Sequence, residues 1–513
     1  MSSGCSCATT PGRSSAWTGA EGGNVLHPYA HYLRRAALLF PDRPAVADPA
    51  RDVELTWREL ADRVARRAAT LARAGVGPGD RVLVRQANTH GYLEAVLAAA
   101  WRGAAYVPVL GVLSAGERRY IEETVEPVAV LDAADPGPPG DHGGEAPVDV
   151  PPGAVSQVLF TSGSSGRPKG VVHSFDSTAG AMGAWAAVTK AGPDQVVLVT
   201  TPMSHAAGRL VESALVAGGR VVIAESPKPG PVAAAIERYG VTHMLLVPTV
   251  LQDLVDGAAG GDLSSLRQVV YSSAPASPSL VRRAHERLGP VVASVYGSTE
   301  VPAPVTVLDT ADHERAMAGA AHLLTSCGRE HPWGVQTRIV DDDLREVLPG
   351  EVGQLALCTP WLASGYWRQP DAWAERLRDG WFLTGDLGRY EDGYLYLVDR
   401  RDDMIISGGY NVFPTEVEHV LGEHPSVREV AVFGAPDGRW GEAVVAAVAL
   451  RQPAPADPPA ALIAHCRDHL PRYKVPKRIV VLDDLPKSGH GKLSRRLTRQ
   501  RVVGDSAVVH GAE

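Results

Sequence analysis

At 513 residues, with 45% hydrophobic and 21% charged side chains, the chain is too long for one hydrophobic core and divides into two or more domains. A net charge of −8 excludes a general affinity for nucleic acid or anionic membrane. The five cysteines (Cys5, Cys7, Cys327, Cys358, Cys466) have no regular spacing, which argues against a disulfide framework and for a reducing compartment; Cys5 and Cys7 alone are too few for a metal site.

The first residues, Met1 to Gly23, lack the basic start and apolar centre of a signal peptide and read as a loose tail, so a cytoplasmic location is expected. A helix is predicted from Thr56 to Gly75, with Leu60, Val64, Ala68 and Leu71 on one face. The most apolar stretch, Ala95 to Leu113, is broken by Arg102 and Gly103, so no membrane span is expected. Gln195 to Thr200, Arg220 to Ala224, His243 to Val247 and Gln268 to Ser272 are nearly continuous aliphatic runs, the pattern of strands buried on both faces. Helical segments lie between and after them, among them Val232 to Tyr239, which starts behind Pro231 and stops at Gly240, and Pro278 to Leu288. The alternation implies α/β layering with parallel strands. A strand from Tyr394 to Val398 runs into the charged cluster Asp399 to Asp403, expected to be an exposed domain joint. Beyond it a second unit is predicted: helix Pro414 to Leu421, strands Val427 to Gly434 and Ala443 to Leu450, helix Ala460 to His469 and strand Arg478 to Leu482, with no internal repeat.

Onto this frame the sequence places chemistry. Behind the apolar run Val155 to Phe160 comes Thr161-Ser162-Gly163-Ser164-Ser165-Gly166-Arg167-Pro168-Lys169-Gly170, whose glycines let backbone N–H groups close on phosphate oxygens while the hydroxyls and Lys169 add donors and charge. Its spacing is not that of a Walker A loop, and a Gly/Ser loop of this size also serves as a plain connection. In Tyr296-Gly297-Ser298-Thr299-Glu300 an aromatic ring, a turn, two hydroxyls and a carboxylate could stack a base and hold Mg²⁺, or form an ordinary strand-end turn. Asp386, just past the turn at Thr384-Gly385, suits vicinal hydroxyls, since a carboxylate accepts two hydrogen bonds; an Asp in a β-turn is the bland reading. The glycines of Ser407-Gly408-Gly409 permit close approach of a ligand or chain, or make a hairpin turn, and Lys492, on a glycine-flanked loop, could reach a remote site or belong to a solvated basic face.

The order and spacing of these motifs over residues 26 to 500 resemble the acyl-adenylate-forming superfamily of acyl- and aryl-CoA synthetases, peptide-synthetase adenylation domains and luciferases. Asp399 to Glu418 and Gly434 to Gly441 look most like bacterial carboxylate-CoA ligases. The resemblance implies an α/β fold: a tail over 1–25, a large N-terminal domain of layered sheets and helices over 26–401, and a small mobile C-terminal α+β domain over 402–513. It implies that a carboxylic acid and ATP give acyl-AMP and pyrophosphate, and that a thiol, of CoA or of a carrier protein's phosphopantetheine, then displaces AMP. A nitrogen nucleophile as acceptor and a non-catalytic nucleotide-binding relative are the alternatives.

By the same resemblance the Thr161 to Gly170 loop holds the β- and γ-phosphates, Thr161 and Glu300 serve Mg²⁺, Tyr296 stacks on adenine and Thr299 touches the α-phosphate. Asp386 and Arg400 bind the ribose, and Lys492 bridges the acid and the phosphate oxygens. Asp402 is the pivot on which the small domain turns, presenting Ser407, Gly408 and Gly409 to the thiol; Trp440 lines that tunnel or belongs to the core. Tyr473, Lys474 and Lys477 are candidates to meet the nucleotide of CoA, or are ordinary surface residues.

Departures concentrate near the acid. Ser272-Ser273-Ala274-Pro275 stands where many relatives have glycine before the adenine site, so its side chains are expected to narrow the pocket. His205 keeps a gate-like position, and Arg209, where an apolar residue is common, pairs either with a polar group on the substrate or with a structural partner. Trp185, Thr249, Ser273, Val301 and Pro302 complete the expected acyl wall, for an aromatic or medium-length acid.

Overall fold

The computed structural model describes residues 25–111, 113–132, 146–151, 153–161, 168–224, 226–257, 261–487 and 493–504. The tail, Cys5 and Cys7, positions 162–167 of the phosphate-loop candidate, and Lys492 lie outside the described residues.

The aliphatic runs form the middle of a sheet that has nine strands among the described residues. Val292–Tyr296, Gln268–Ser272, His243–Leu246, Val196–Val199, Arg220–Ile223 and Pro44–Asp48 lie side by side and parallel, with antiparallel strands at both edges. Their residues are buried because helices and a second sheet cover them. That second sheet, with Lys169–Ser174, Val155–Thr161, Ala105–Leu110 and Arg81–Gln86 at its centre, supplies the layering that the resemblance implied. Helices His90–Trp101, Phe175–Val188 and Ala206–Ala217 pack in the layer between the sheets, and one core joins Val82 and Tyr106 of the second sheet to Val197 and Ile223 of the first. The apolar stretch from Ala95 thus resolves into the end of the helix His90–Trp101, buried along its whole length, and the strand Ala105–Leu110. No helix among the described residues is long and apolar enough to cross a membrane.

The helix predicted from Thr56 runs over Trp57–Arg73 and buries Leu60, Val64, Ala68 and Leu71. Its start is fixed by a capping box: Thr56 N–H donates to Glu59 Oε2 at 2.8 Å and Glu59 N–H to Thr56 Oγ1 at 3.3 Å, so Thr56→Ala costs about 1 kcal/mol.

A third sheet carries Trp381–Glu391 and Tyr394–Arg400, the strands that deliver Asp386 and Arg400. The smaller C-terminal domain wraps helices Pro414–Glu423 and Pro458–His469 on one face of its own sheet, and helix Arg495–Val503 packs on the other. The charged cluster departs from expectation at its first residue. Asp399 is buried, because Arg495 Nη1 donates to its Oδ1 at 2.7 Å and Thr415 N–H donates to its Oδ2 at 2.7 Å. Arg401 to Asp403 do form an exposed single turn.

Candidate active site

The strand Val155–Thr161 delivers Thr161, and Lys169 opens the neighbouring antiparallel strand directly opposite it, so the two bracket the loop between them. Lys169 Nζ lies 5.1 Å from the centroid of the Tyr366 ring. The Tyr366 hydroxyl donates to Glu300 Oε1 at 3.0 Å, and the Glu300 carbonyl accepts the Ala363 N–H at 2.8 Å. Tyr366 thereby links Lys169 to Glu300, a contact no local spacing announced. Among the described residues Glu300 Oε2 carries no hydrogen bond. A free carboxylate oxygen with the Thr161 hydroxyl on the adjoining strand end supplies hard oxygen donors, which fit a Mg²⁺ ion that takes its other ligands from phosphate and water.

Asp386 forms the second focus. Its Oδ2 accepts the Tyr296 hydroxyl at 2.5 Å, and its Oδ1 lies 3.3 Å from Arg400 Nε across the antiparallel pair that joins the two residues. Burial pushes the Asp386 carboxyl above its usual range, while Arg400 and the Tyr296 hydroxyl pull it back. Burial, reinforced by the Asp386 charge, holds the Tyr296 proton firmly, so Tyr296 acts as donor. Arg400 remains 71% exposed on its side chain and free to turn toward a ligand.

Between the foci runs the loop Gly297 to Glu300. Ser298 Oγ is buried without a partner, and Gly297 is exposed. Ser272 closes the adjacent strand by donating its hydroxyl to the Val295 carbonyl at 2.8 Å, and Ser273 then turns with φ +77°, a left-handed conformation that costs a non-glycine residue about 1–2 kcal/mol. Ala274 and Pro275 are exposed beyond it.

The expected acyl wall is brought together in part. Trp185 Nε1 donates to the Pro302 carbonyl at 2.8 Å, and Val301 and Pro302 are buried beside it. His205 caps the helix Ala206–Ala217, with Nδ1 2.8 Å from Ser204 Oγ. Arg209 has the structural partner that was one of its two readings: Nη1 donates to both Glu212 oxygens at 2.9 Å. Thr249 stands elsewhere, in a cleft of about 420 Å³ shared with Asp253 and with Arg428, Glu429 and Lys487 of the small domain.

In the small domain, Gly408 (φ +59°) and Gly409 (φ +82°) turn the hairpin between Ile405–Ser407 and Tyr410–Val412. Gly408 N–H donates to the Trp440 carbonyl at 2.8 Å, and a Cβ at Gly408 would stand 2.8 Å from the Trp440 ring. Ser407 is buried. Trp440 is 36% exposed and carries Arg439 and Lys477 over its ring, with charge-to-centroid distances of 4.9 and 5.1 Å, so it belongs to the surface beside the glycines and not to the core. Tyr473 stacks on Tyr410 at 4.8 Å, and Lys474 Nζ is tied to both Glu416 oxygens at 2.6 and 2.7 Å. Lys487 and Leu493, which flank the residues around Lys492, pair across an antiparallel bridge. Asp402 lies in the turn whose neighbours are anchored on either side, Arg401 to Asp342 at 2.9 Å and Asp403 to Arg495 at 3.1 Å.

Comparison with known proteins places this geometry. Residues 33–367 match the model of the AMP-binding enzyme family, and residues 416–492 match the AMP-binding enzyme C-terminal domain. A feruloyl-CoA synthase of an Amycolatopsis species is 37% identical over 475 residues, covering 87% of this chain and 94% of that one. The medium/long-chain-fatty-acid–CoA ligase FadD8 of Mycobacterium tuberculosis is 39% identical over 362 residues, covering 69% of this chain and 62% of its own length. Among solved structures, the amide bond synthetase McbA of Marinactinospora thermotolerans superposes with a TM-score of 0.82 at 34% identity, over 93% of this chain and 100% of that one.

Proposed function

This chain belongs to the AMP-binding enzyme family, and from that membership and its site we propose an ATP-dependent carboxylate-CoA ligase for an aromatic or medium-chain acid. A carboxylate oxygen of the acid attacks the α-phosphorus of ATP, and the bond to pyrophosphate breaks, leaving acyl-AMP. The thiol sulfur of CoA then attacks the acyl carbon, its proton passes to solvent, and AMP departs. The observation that carries the reading is the pair of foci: the Lys169, Tyr366 and Glu300 linkage on one side and the Tyr296, Asp386 and Arg400 cluster on the other.

Attack by one anion on another meets like-charge repulsion, so positioning and cationic groups supply most of the acceleration. Lys169 and the loop donors take the β- and γ-phosphates, and Thr299 takes the α-phosphate. Glu300 and Thr161 would hold Mg²⁺, which would neutralise phosphate charge. Asp386 accepts from the ribose hydroxyls, with Arg400 beside it, and the Tyr296 ring meets the adenine. Lys492 bridges the acid and the phosphate oxygens in the first step, and His205 stands at the acyl gate. Pivoting at Asp402, the boundary between domains 26–401 and 402–513, the small domain then withdraws Lys492 and presents Ser407, Gly408, Gly409 and Trp440 to the pantetheine thiol; Tyr473, Lys474 and Lys477 lie on the same face for the CoA nucleotide. The free thiols of Cys327 and Cys466 support a reducing, cytoplasmic setting.

The likeness to McbA favours a second reading in which an amine takes the acyl group, and a carrier-protein thiol is chemically equivalent to CoA. Pyrophosphate release with ATP and Mg²⁺ over a panel of aryl, cinnamyl and C4 to C12 acids, each with and without CoA, tests all three, with products identified by mass spectrometry. A CoA thioester is the expected product. Acid-dependent pyrophosphate release with no thioester would move the acceptor to a carrier protein or an amine, and no AMP with any acid would sink catalysis.

A further inference from the structure

A polar layer lies buried between the two large sheets, behind the loop that holds Thr299. Tyr29 donates its hydroxyl to Glu212 and lies 3.2 Å from the Tyr106 hydroxyl, and Tyr106 donates to Gln157. Gln157 pairs across the strands with His173, so the two share a face. His173 is fully buried with the Thr299 backbone beside it, in an arrangement too loose for a full hydrogen bond at either ring nitrogen among the described residues. Gln157 Nε2 and Ser298 Oγ are likewise buried without partners among the described residues. Native interiors leave few such groups, and each costs about 1–3 kcal/mol, so this layer holds polar side chains whose bonding the described residues leave incomplete.

Arg209 is the donor at the far end of this layer. It lies one turn beyond His205 on the same face of its helix, and its field reaches His173. Among the described residues only Nη1 is engaged, by Glu212, while the side chain keeps 9% of its surface accessible; Nε and Nη2 retain N–H groups to give. Its charge is already neutralised by Glu212 at 2.9 Å, so a second anion there would meet that carboxylate, whereas a neutral oxygen would meet donors alone.

Resting on the ligase reading above, we propose that Arg209, steadied by Glu212, Tyr29 and Tyr106, selects acids bearing a neutral oxygen acceptor at the end remote from the carboxylate, such as a phenol, aryl ether or ketone. The test is kcat/KM for pyrophosphate release with matched aryl acids carrying para-hydroxyl, para-methyl or para-carboxyl groups. Wild type should favour the hydroxyl acid over its methyl isostere by about 10- to 100-fold, the scale of one hydrogen bond to a charged group. The paired substitution R209M/E212Q should collapse that ratio to near one. Glu212→Gln alone removes the neutralising charge and leaves a single amide oxygen to accept from Tyr29 and Arg209, and should raise the rate on the para-carboxyl acid relative to the hydroxyl acid. A wild-type ratio near one, or a Glu212→Gln enzyme with unchanged preference, would overturn the proposal. Failure to activate any acid counts against the ligase reading instead, since this inference fails only when acids are activated without regard to the distal oxygen.

Discussion

The Tyr296 hydroxyl donates to Asp386 Oδ2 at 2.5 Å, and Arg400 Nε holds the other carboxylate oxygen at 3.3 Å. Burial raises the Asp386 pKa and these two partners lower it. If Asp386 takes the ribose as proposed, its ionised form is the one that accepts the hydroxyls, and ATP binding should weaken as pH falls through the raised value. The acid limb of kcat/KM for ATP therefore lies above the free aspartate value of about 3.9. Tyr296→Phe and Arg400→Met each remove a group that favours the carboxylate and should move that limb to higher pH, with KM for ATP rising about tenfold at neutral pH by loss of one bond to a charged group. A limb that stays in place in both variants would separate Asp386 from nucleotide binding. For stability the sign is opposite: a carboxyl with a raised folded pKa destabilises the native state at neutral pH and does so less as pH falls toward that value.

Ser273 adopts φ +77°, where glycine would be unstrained. Relief of about 1–2 kcal/mol of left-handed strain exceeds the roughly 0.5–1 kcal/mol of extra chain entropy that glycine loses on folding. Ser273→Gly should thus raise stability slightly in urea unfolding and widen the range of acids accepted, measured as the spread of kcat/KM over the acid panel. A narrower range would mean that the serine side chain points away from the acid.

What the sequence made legible was local. The loop from Thr161 to Gly170, the Tyr296 to Glu300 corner and Asp386 are runs of chemically distinctive neighbours, and the aliphatic strands carry their own period. Tyr366 reaches Glu300 and Lys169 from a strand distant in sequence and is one of two adjacent aromatics in Gly365-Tyr366-Trp367-Arg368, with nothing local to single it out. The Tyr29, Tyr106, Arg209 and Glu212 network joins residues of separate elements, so no spacing could reveal it. Arg495 stands beside Arg496 in a basic stretch, yet its guanidinium binds Asp399, Asp403, Glu418 and Thr415. Charge pattern alone does not distinguish a solvated arginine from one whose carboxylates arrive by folding.

That Arg495 cluster predicts a stability effect. The side chain is 20% exposed, and removing it strands Asp399, which is buried, so Arg495→Met should cost about 3 kcal/mol or more. Arg495→Lys should recover only part, because one ammonium cannot match a fork that meets carboxylates on several sides. Chemical unfolding of the whole chain reads both. A loss below about 0.5 kcal/mol for the methionine variant would mark the cluster as a surface pair in effect.

At Gly408 an added Cβ would stand 2.8 Å from Trp440, whereas at Gly409 it meets nothing within 4 Å, although both have positive φ. Gly408→Ala should therefore slow thioester formation at least tenfold beyond what Gly409→Ala does, while acid-dependent pyrophosphate release stays within about threefold of wild type, tenfold being about 1.4 kcal/mol. Equal loss of both half-reactions would place the hairpin in the adenylation site.

Lys492 provides the converse separation. If it neutralises charge only while acyl-AMP forms, Lys492→Ala should lower adenylation about 10²- to 10³-fold, the scale of removing one aimed electrostatic donor. Thioester formation from supplied acyl-AMP should be spared, since the proposed rotation has by then carried the lysine away. Rapid-quench measurement of each step on the same protein decides the matter. Equal loss of both steps would contradict a small domain that alternates between two positions, and the Gly408 variant, tested alongside, would show whether its hairpin still governs the second step.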